Sequence, residues 1–195
     1  MEKMNDEPVT QTSAVSPLLY PLDDFYMRMG RQLPVIEMVD SNAIPEPYKS
    51  LLVHQSDMTP TLQRYHRDNI HVNALHAEKR DCFYFREVLL ELDETGRPVE
   101  YGAIKINLSL LSENTRREII KEQLPLGQIL FAQKVKHASQ PKAYLKVEAD
   151  EHIIGTFRLG NSPTLYGRRN TLTHTDGRPL AEIVEILPPE ENVVY

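Results

Sequence analysis

Residues 82–92, CFYFREVLLEL, alternate between two faces in the manner of a β-strand. One face is apolar except for a single cation, and it carries Cys82, Tyr84, Arg86, Val88, Leu90 and Leu92. The other face carries Glu87 and Glu91, which we expect to contact water. Because a guanidinium does not release its proton, Arg86 needs an anionic partner if its face lies in the core.

Capping residues and breaks predict short helices along the chain. A helix is predicted within residues 17–33, where an Asp-Asp pair suits the start and Gly30 suits the end. A polar helix is predicted within residues 112–123, with Ser112 as its N-cap. The sequence LPLG then breaks the chain before the short apolar turn QILFAQ, and it is a second break at which a helix is expected to start.

Residues 44–68 predict a helix, a break and a second helix. The second helix is expected to begin with Thr59 as N-cap and Pro60 in the first helical position, where the missing N–H is not needed. Met58 and Leu126 therefore each lie at the start of a predicted helix.

Two turns that contain Gly-Arg-Pro predict β-hairpins. Residues 93–98, DETGRP, lead into a strand on which Ile104 and Ile106 share one face, and residues 175–179, TDGRP, lead into the last strand. Residues 142–153 predict a further strand. Many antiparallel strands and few short helices predict an α+β fold, with a single antiparallel sheet whose helices cover one face.

Length and composition indicate one domain, since 195 residues with 41% hydrophobic content suffice for one sizeable core. We expect residues 17–195 to form this domain and the polar residues 1–16 to be a disordered tail. The net charge of −6 and the pI near 5.7 argue against a nucleic-acid partner, which clustered Lys and Arg would bind. The single cysteine excludes an intrachain disulfide, and no apolar run approaches a membrane span or a signal-peptide core. The sequence thus predicts a cytoplasmic protein without a membrane partner, and it leaves the oligomeric state open.

Arg86 has two interpretations. It pairs with an internal carboxylate such as Glu182 or Glu185, or it binds the carboxylate of a ligand in a water-poor cavity. The predicted helix starts at Met58 and Leu126 favour a ligand, because the free N–H groups of a first helical turn attract anions. Glu182 or Glu185, on the apolar background of the last strand, is a candidate for acid–base catalysis, and strand alternation alone does not choose between them. No HExxH motif occurs, and no metal is predicted.

Five motifs resemble, in order and approximate spacing, those of the chorismate pyruvate-lyase family. They are SDMT (56–59), YFREVLLEL (84–92), LPLGQILF (124–131), LYGRRNTL (165–172) and GRPLAEIVEILP (177–188). The resemblance extends from about residue 51 to the C-terminus. It implies an enzyme that cleaves chorismate to 4-hydroxybenzoate and pyruvate without a metal or organic cofactor, on a sheet whose ligand lies beneath helical flaps.

The resemblance also implies roles for individual residues. Arg86 matches the arginine that holds the aromatic carboxylate, and the backbone amide of Leu126 assists it. The backbone amide of Met58 lies at the other end of the ligand. Thr59 and Gly127, which adjoin these residues in their motifs, complete the predicted substrate contacts.

The family's essential glutamate lies in the last strand, where it would take the C4 proton of chorismate or orient the hydroxyl group. This chain has one extra residue in its HTDGRP turn. Aligning the turn proline places Val184 at the glutamate position, whereas a one-residue shift places Glu185 there, so we favour Glu185 and put Glu182 second. Arg168 and Arg169 are candidates for the enolpyruvyl carboxylate or for a structural role that closes the hairpin onto the sheet.

Two alternatives to the lyase reaction remain. The effector-binding module of one group of bacterial transcription regulators resembles chorismate pyruvate-lyase in fold, which would make this chain a non-catalytic binding domain for an aromatic acid. The short acidic segment before the predicted domain does not suit the winged helix-turn-helix of such regulators, so a lone binding module is expected in that case. A lyase that acts on another chorismate-like acid is the third option, because Arg86 recognises a carboxylate and not a whole molecule.

Overall fold

A computed structural model of the chain describes residues 18–190, and the predicted tail over residues 1–16 lies outside them. The strands are β1 (Ile36–Val39), β2 (Ile70–Arg80), β3 (Phe83–Leu92), β4 (Pro98–Asn107), β5 (His137–Glu148), β6 (Thr164–His174) and β7 (Pro179–Leu187). The helices are α1 (Leu22–Arg28), α2 (Tyr48–Leu52), α3 (Met58–His66), α4 (Glu113–Ile120), α5 (Leu126–Ala132) and α6 (Glu151–Phe157). The strands form one antiparallel sheet in the order β1-β5-β6-β7-β4-β3-β2, which confirms the predicted α+β fold class.

Both predicted hairpins are present. β3 and β4 are joined by a turn in which Gly96 has a φ of +65°, and β6 and β7 by one in which Gly177 has a φ of +85°. Glycine suits both positions because other residues rarely adopt a positive φ. The predicted cap of α4 is also confirmed, since the Ser112 side chain accepts a hydrogen bond from the Thr115 N–H at 3.2 Å.

The start of α3 differs from the prediction. Its N-cap is Asp57, so Thr59 lies inside the first turn and is not the cap. Pro60 is tolerated there because the first N–H groups of a helix have no partner within it. The Asp57 carboxylate does not cap the helix but accepts from Nε2 of His137 at 3.1 Å, which connects the start of α3 to β5.

Helices cover both faces of the sheet, whereas the sequence predicted cover on one face only. Helices α2 to α5 pack on the face that carries Tyr84 and Val88. Helices α1 and α6 pack on the opposite face, which carries Phe85 and Tyr101. The sheet therefore separates two apolar cores.

This second core explains why Glu87 and Glu91 are buried, at 0% and 6% exposed, and not in contact with water as predicted. Glu87 accepts hydrogen bonds from the Tyr101 hydroxyl and from Nε2 of His152, and Glu91 accepts one from Nη2 of Arg158 at 2.6 Å. Burial raises the pKa of Glu87, but its side-chain hydrogen bonds together hold that pKa below the ordinary value. Partners from α6 and the segment after it thus replace the expected water.

Two further predicted boundaries are wrong. Cys82 precedes β3 and is exposed, so it does not belong to the apolar face of the strand. The strand predicted over residues 142–153 ends at Glu148, because the Asp150 side chain accepts a hydrogen bond from the Ile153 N–H at 2.9 Å. An aspartate in this position stabilises a helix start, and α6 follows.

The register of β6 and β7 determines which side chains share a face. A register shift between Leu172 and Thr173 places Arg168 opposite Glu185. The assignment of Glu185 to the glutamate position of the family stays a prediction. The two strands approach closely at Gly167, where an added Cβ would lie 2.3 Å from the backbone oxygen of Glu185.

Candidate ligand-binding site

A cavity of about 40 Å³ lies between the sheet and the N-termini of α3 and α5. Strands β3, β4, β6 and β7 contribute its floor. Six of the residues predicted from the sequence line it together: Met58, Thr59, Arg86, Leu126, Gly127 and Glu185. The structure thus brings these residues, from four of the five sequence motifs, to one place.

Arg86 is 1% exposed, and within residues 18–190 it forms no ion pair or hydrogen bond. Its Nε and Nη1 atoms are buried without a partner. Burial lowers the pKa of Arg86 to about 10, and the more distant oxygens of Tyr84, Glu122 and Glu100 only partly offset this effect. A buried cation without a counter-ion is costly in a finished core and is expected in a site that receives an anion.

The predicted internal partners of Arg86 are engaged elsewhere. Glu185 forms an ion pair with Nε of Arg168, and both side chains are buried. Arg168 also donates to the backbone oxygens of Leu52 and Ser56 at 3.3 and 3.2 Å. Arg168 therefore fixes Glu185 and the segment before α3.

Glu182 and Arg169 lie on the opposite face of the sheet from the cavity. Glu182 accepts from Nη2 of Arg169 at 2.8 Å and from Nζ of Lys105 at 3.0 Å. Burial lowers the pKa of Arg169, and Glu182 counteracts that effect. The structure does not bring these two predicted residues to the cavity, and it places Glu185 there in preference to Glu182.

The N-termini of α3 and α5 lie side by side above the cavity. An added Cβ at Gly127 would lie 3.7 Å from Oγ1 of Thr59, which is ordinary contact. Met58 and Leu126 are the first residues of the two helices. Their first-turn N–H groups have no partner within the helices, so they can donate to a ligand.

Glu100 is a cavity residue that the sequence reasoning missed. It is 4% exposed, and its Oε2 atom is buried without a hydrogen-bond partner. Burial raises the pKa of Glu100 well above the ordinary value, and the Glu185 carboxylate adds to the rise. The sequence contained an indication of this position, because Glu100 lies at an even position of its strand, on the same face as Ile104 and Ile106.

Two further polar residues of the cavity were not predicted. Asn170 is 1% exposed, and its Nδ2 donates to Oγ of Ser139 at 3.0 Å. Asp57 is held by His137, and this hydrogen bond raises the pKa of the His137 imidazole. Both residues lie at the rim where β5 and β6 meet α3, so they help to fix the position of that helix.

The cavity therefore offers one uncompensated cation, two buried carboxyl groups and two helix starts within an apolar lining. Among residues 18–190 no cluster of side chains suits a metal ion. No helix in the same range is long and apolar enough to cross a membrane. The arrangement can bind an organic anion and hold a proton next to it.

Comparison with solved structures identifies the fold. PhnF from Mycobacterium smegmatis aligns with a TM-score of 0.54 and 8% identity, over 70% of this chain and 65% of that one. Its effector domain, solved separately, aligns with a TM-score of 0.50 and 8% identity, over 67% of this chain and 87% of that one. The ligand-binding domain of a protein from Bordetella bronchiseptica assigned to the GntR-family transcriptional regulators aligns with a TM-score of 0.50 and 10% identity, over 63% and 87%. No protein-family model and no curated protein sequence matches the chain.

At such low identity the likeness concerns the fold and not the ligand or the reaction. The antiparallel sheet with its covering helices is the architecture that the resemblance to chorismate pyruvate-lyase implies, and regulator domains share it. This chain thus shares the fold of these regulator domains.

Proposed function

We propose that this domain binds a small ring carboxylic acid, whose carboxylate pairs with Arg86. The observation that carries the proposal is the burial of Arg86, which is 1% exposed, without a counter-ion among residues 18–190. A planar guanidinium can bind a carboxylate with two parallel hydrogen bonds, and such contacts are strong in a site that excludes water. The apolar side chains of Val88, Ile104 and Ile183 around it suit a ring.

Ligand entry requires movement of the helices. A cavity of about 40 Å³ holds a few water molecules and is smaller than a benzene ring with a carboxylate. Helices α3 and α5 contact each other near Thr59 and Gly127, at the cavity. Their separation would enlarge the cavity without a change in the sheet.

Isothermal titration with 4-hydroxybenzoate tests the proposal. The wild-type domain should bind it, and Arg86→Met should lower the affinity at least about a hundredfold because a charge-assisted bidentate contact is lost. Arg86→Lys should restore little of the affinity, because an ammonium group cannot donate the two parallel hydrogen bonds of a planar guanidinium. Equal affinity of wild type and Arg86→Met would refute the assignment of this cavity.

A second candidate function is cleavage of chorismate to 4-hydroxybenzoate and pyruvate. The specific observation in its favour is that Glu185 and Glu100 lie in the same cavity as Arg86, so that a carboxylate is available for the C4 proton. Positioning would supply most of the rate, since loss of this proton as the ether bond breaks makes the ring aromatic. Chorismate is a dianion. On this face of the sheet Arg168 pairs with Glu185, whereas Arg86 has no counter-ion in the part of the chain that the structure describes, which favours binding of a monoanion as the first proposal.

The two candidates are separated by incubating the purified domain with chorismate and following the formation of 4-hydroxybenzoate and pyruvate. Arg86→Met is the control for contaminating activity, because it should abolish turnover by the domain. Tight binding of 4-hydroxybenzoate without turnover would support the binding domain alone.

A further inference from the structure

Glu100 and Arg86 line the same cavity but do not touch. No nitrogen of Arg86 lies within 4.0 Å of a carboxylate oxygen of the residues that the structure describes. Glu100 is 4% exposed, and its Oε2 atom has no partner. The cavity thus contains a cation and a carboxyl group that are both buried and both available to a ligand.

The other charged groups around Glu100 are largely paired with each other. Glu185 of β7 pairs with Arg168 of β6, and Asp57 of α3 pairs with His137 of β5. The remaining titratable side chains that face this region from β3, from the end of α4 and from the segment after α2 are Tyr84, Glu122 and His54. Tyr84 donates to Glu122, and burial lowers the pKa of His54 next to Arg168. Among the described residues that line the cavity, Arg86 is the cation left to balance an incoming anion.

We propose that Glu100 is a specificity-determining residue of this cavity, and that a carboxylic acid binds as its anion at Arg86 together with one proton on Glu100. In the complex, the neutral Glu100 donates a hydrogen bond to an oxygen atom of the ligand. This inference rests on the proposed binding function and adds a second recognition group to it.

The physical reason is that one guanidinium cannot neutralise two anions in a site that excludes water. If Glu100 is ionised, it is an anion in the same cavity as Arg86 and competes with the ligand carboxylate. If it is protonated, the competition ends and its O–H becomes a donor, which an ionised carboxylate lacks. Burial and the Glu185 carboxylate both favour the protonated form.

Calorimetry with 4-hydroxybenzoate tests this inference on the full chain. Titrations from about pH 5 to about pH 8, where the phenol of the probe stays protonated, are repeated in two buffers with different ionisation enthalpies. In the wild type we expect uptake of up to one proton per ligand, and an affinity that falls with rising pH wherever Glu100 of the free protein is ionised. Glu100→Gln, which cannot ionise and keeps a donor, should bind without proton uptake and with an affinity independent of pH.

Glu100→Leu separates the hydrogen bond from the charge. It should bind at least about tenfold more weakly than Glu100→Gln at every pH, because it lacks the donor. Glu148→Gln, on the exposed part of β5, is the matched control and should behave as the wild type. Proton release by the wild type on binding, or equal affinity of the Gln and Leu variants, would overturn the inference and leave the role of Arg86 standing. No binding to the wild type would overturn the proposed function and this inference with it.

Discussion

Replacement of Arg86 by Met should stabilise the ligand-free protein, although it removes a fully buried side chain. The fold lowers the pKa of Arg86 from 12.5 to about 10, which corresponds to roughly 3 kcal/mol against the charged form at neutral pH. Met carries no charge, so it avoids the free-energy cost of the buried cation, and its side chain can still pack against the apolar residues that line the cavity. We expect a gain of about 1–3 kcal/mol, or about 2–12 °C in the melting temperature of a domain of this size.

The matched control is Arg168→Met. Arg168 is buried to the same depth on the same face of the sheet, but it pairs with Glu185 and with backbone oxygens. Its removal leaves a buried carboxylate without a partner and should cost about 3–5 kcal/mol. The same chemical change should therefore shift the melting temperature in opposite directions at the two positions.

Thermal melts with and without 4-hydroxybenzoate complete the test. At a ligand concentration of about 100 times the Kd, the wild type should gain about 2.7 kcal/mol, whereas Arg86→Met should gain nothing. A large fall in the melting temperature of ligand-free Arg86→Met would show that Arg86 holds an internal contact. If that variant still responded to the ligand, the binding site would lie elsewhere.

The other predictions concern the carboxylates and the close approach of two strands. If the domain turns over chorismate, Glu185→Gln should lower the rate at least about tenfold, whereas Glu182→Gln on the opposite face should leave it unchanged; the reverse pattern would contradict the observed register. Glu100→Gln should be more stable than the wild type above about pH 5. The fold raises the pKa of Glu100, so the stability of the wild type falls as the pH rises from the ordinary pKa of 4.5 towards the pKa in the folded protein. A difference in melting temperature between the two proteins that stays constant down to pH 4 would contradict this. Gly167→Ala should lower the free energy of unfolding, measured with denaturant, by about 1–3 kcal/mol, because its Cβ would lie 2.3 Å from a backbone oxygen. An unchanged free energy of unfolding would show that the two strands can move apart at this point.

The sequence was sufficient to find Arg86, because strand alternation alone places it among apolar neighbours. It did not reveal Glu100, although Glu100 shares its parity with Ile104, since a glutamate at the start of a hairpin strand looks like a residue in contact with water. The sequence also did not predict which residue forms an ion pair with Glu185. That pair depends on a register shift between Leu172 and Thr173, and a shift of one residue moves every side chain of a strand to the other face.

The second core was missed for a similar reason. From the sequence, Glu87 and Glu91 were expected to lie on a face in contact with water. Their burial is possible because residues distant in the sequence donate hydrogen bonds to them. His152 and Arg158, which supply two of these contacts, lie about 65 residues further along the chain, so no local pattern connects them to β3. Short helices such as α6 add to the difficulty, because they bury few residues and leave a weak periodic signal.

The cover on both faces of the sheet has a consequence for how the molecule opens. If α3 and α5 swing away to admit a ligand, the central strands keep their hydrogen bonds and the packing of α1 and α6 on the other side. The opening can then be a local event that costs far less than global unfolding. Amide hydrogen exchange should resolve the two processes, with fast exchange in α3 and α5 that slows when ligand is bound, and slow exchange in β4 and β7 that ligand alters little at low denaturant. A sheet covered on one face only would lose its single core in the same movement, so the second layer allows binding to be dynamic while the fold persists.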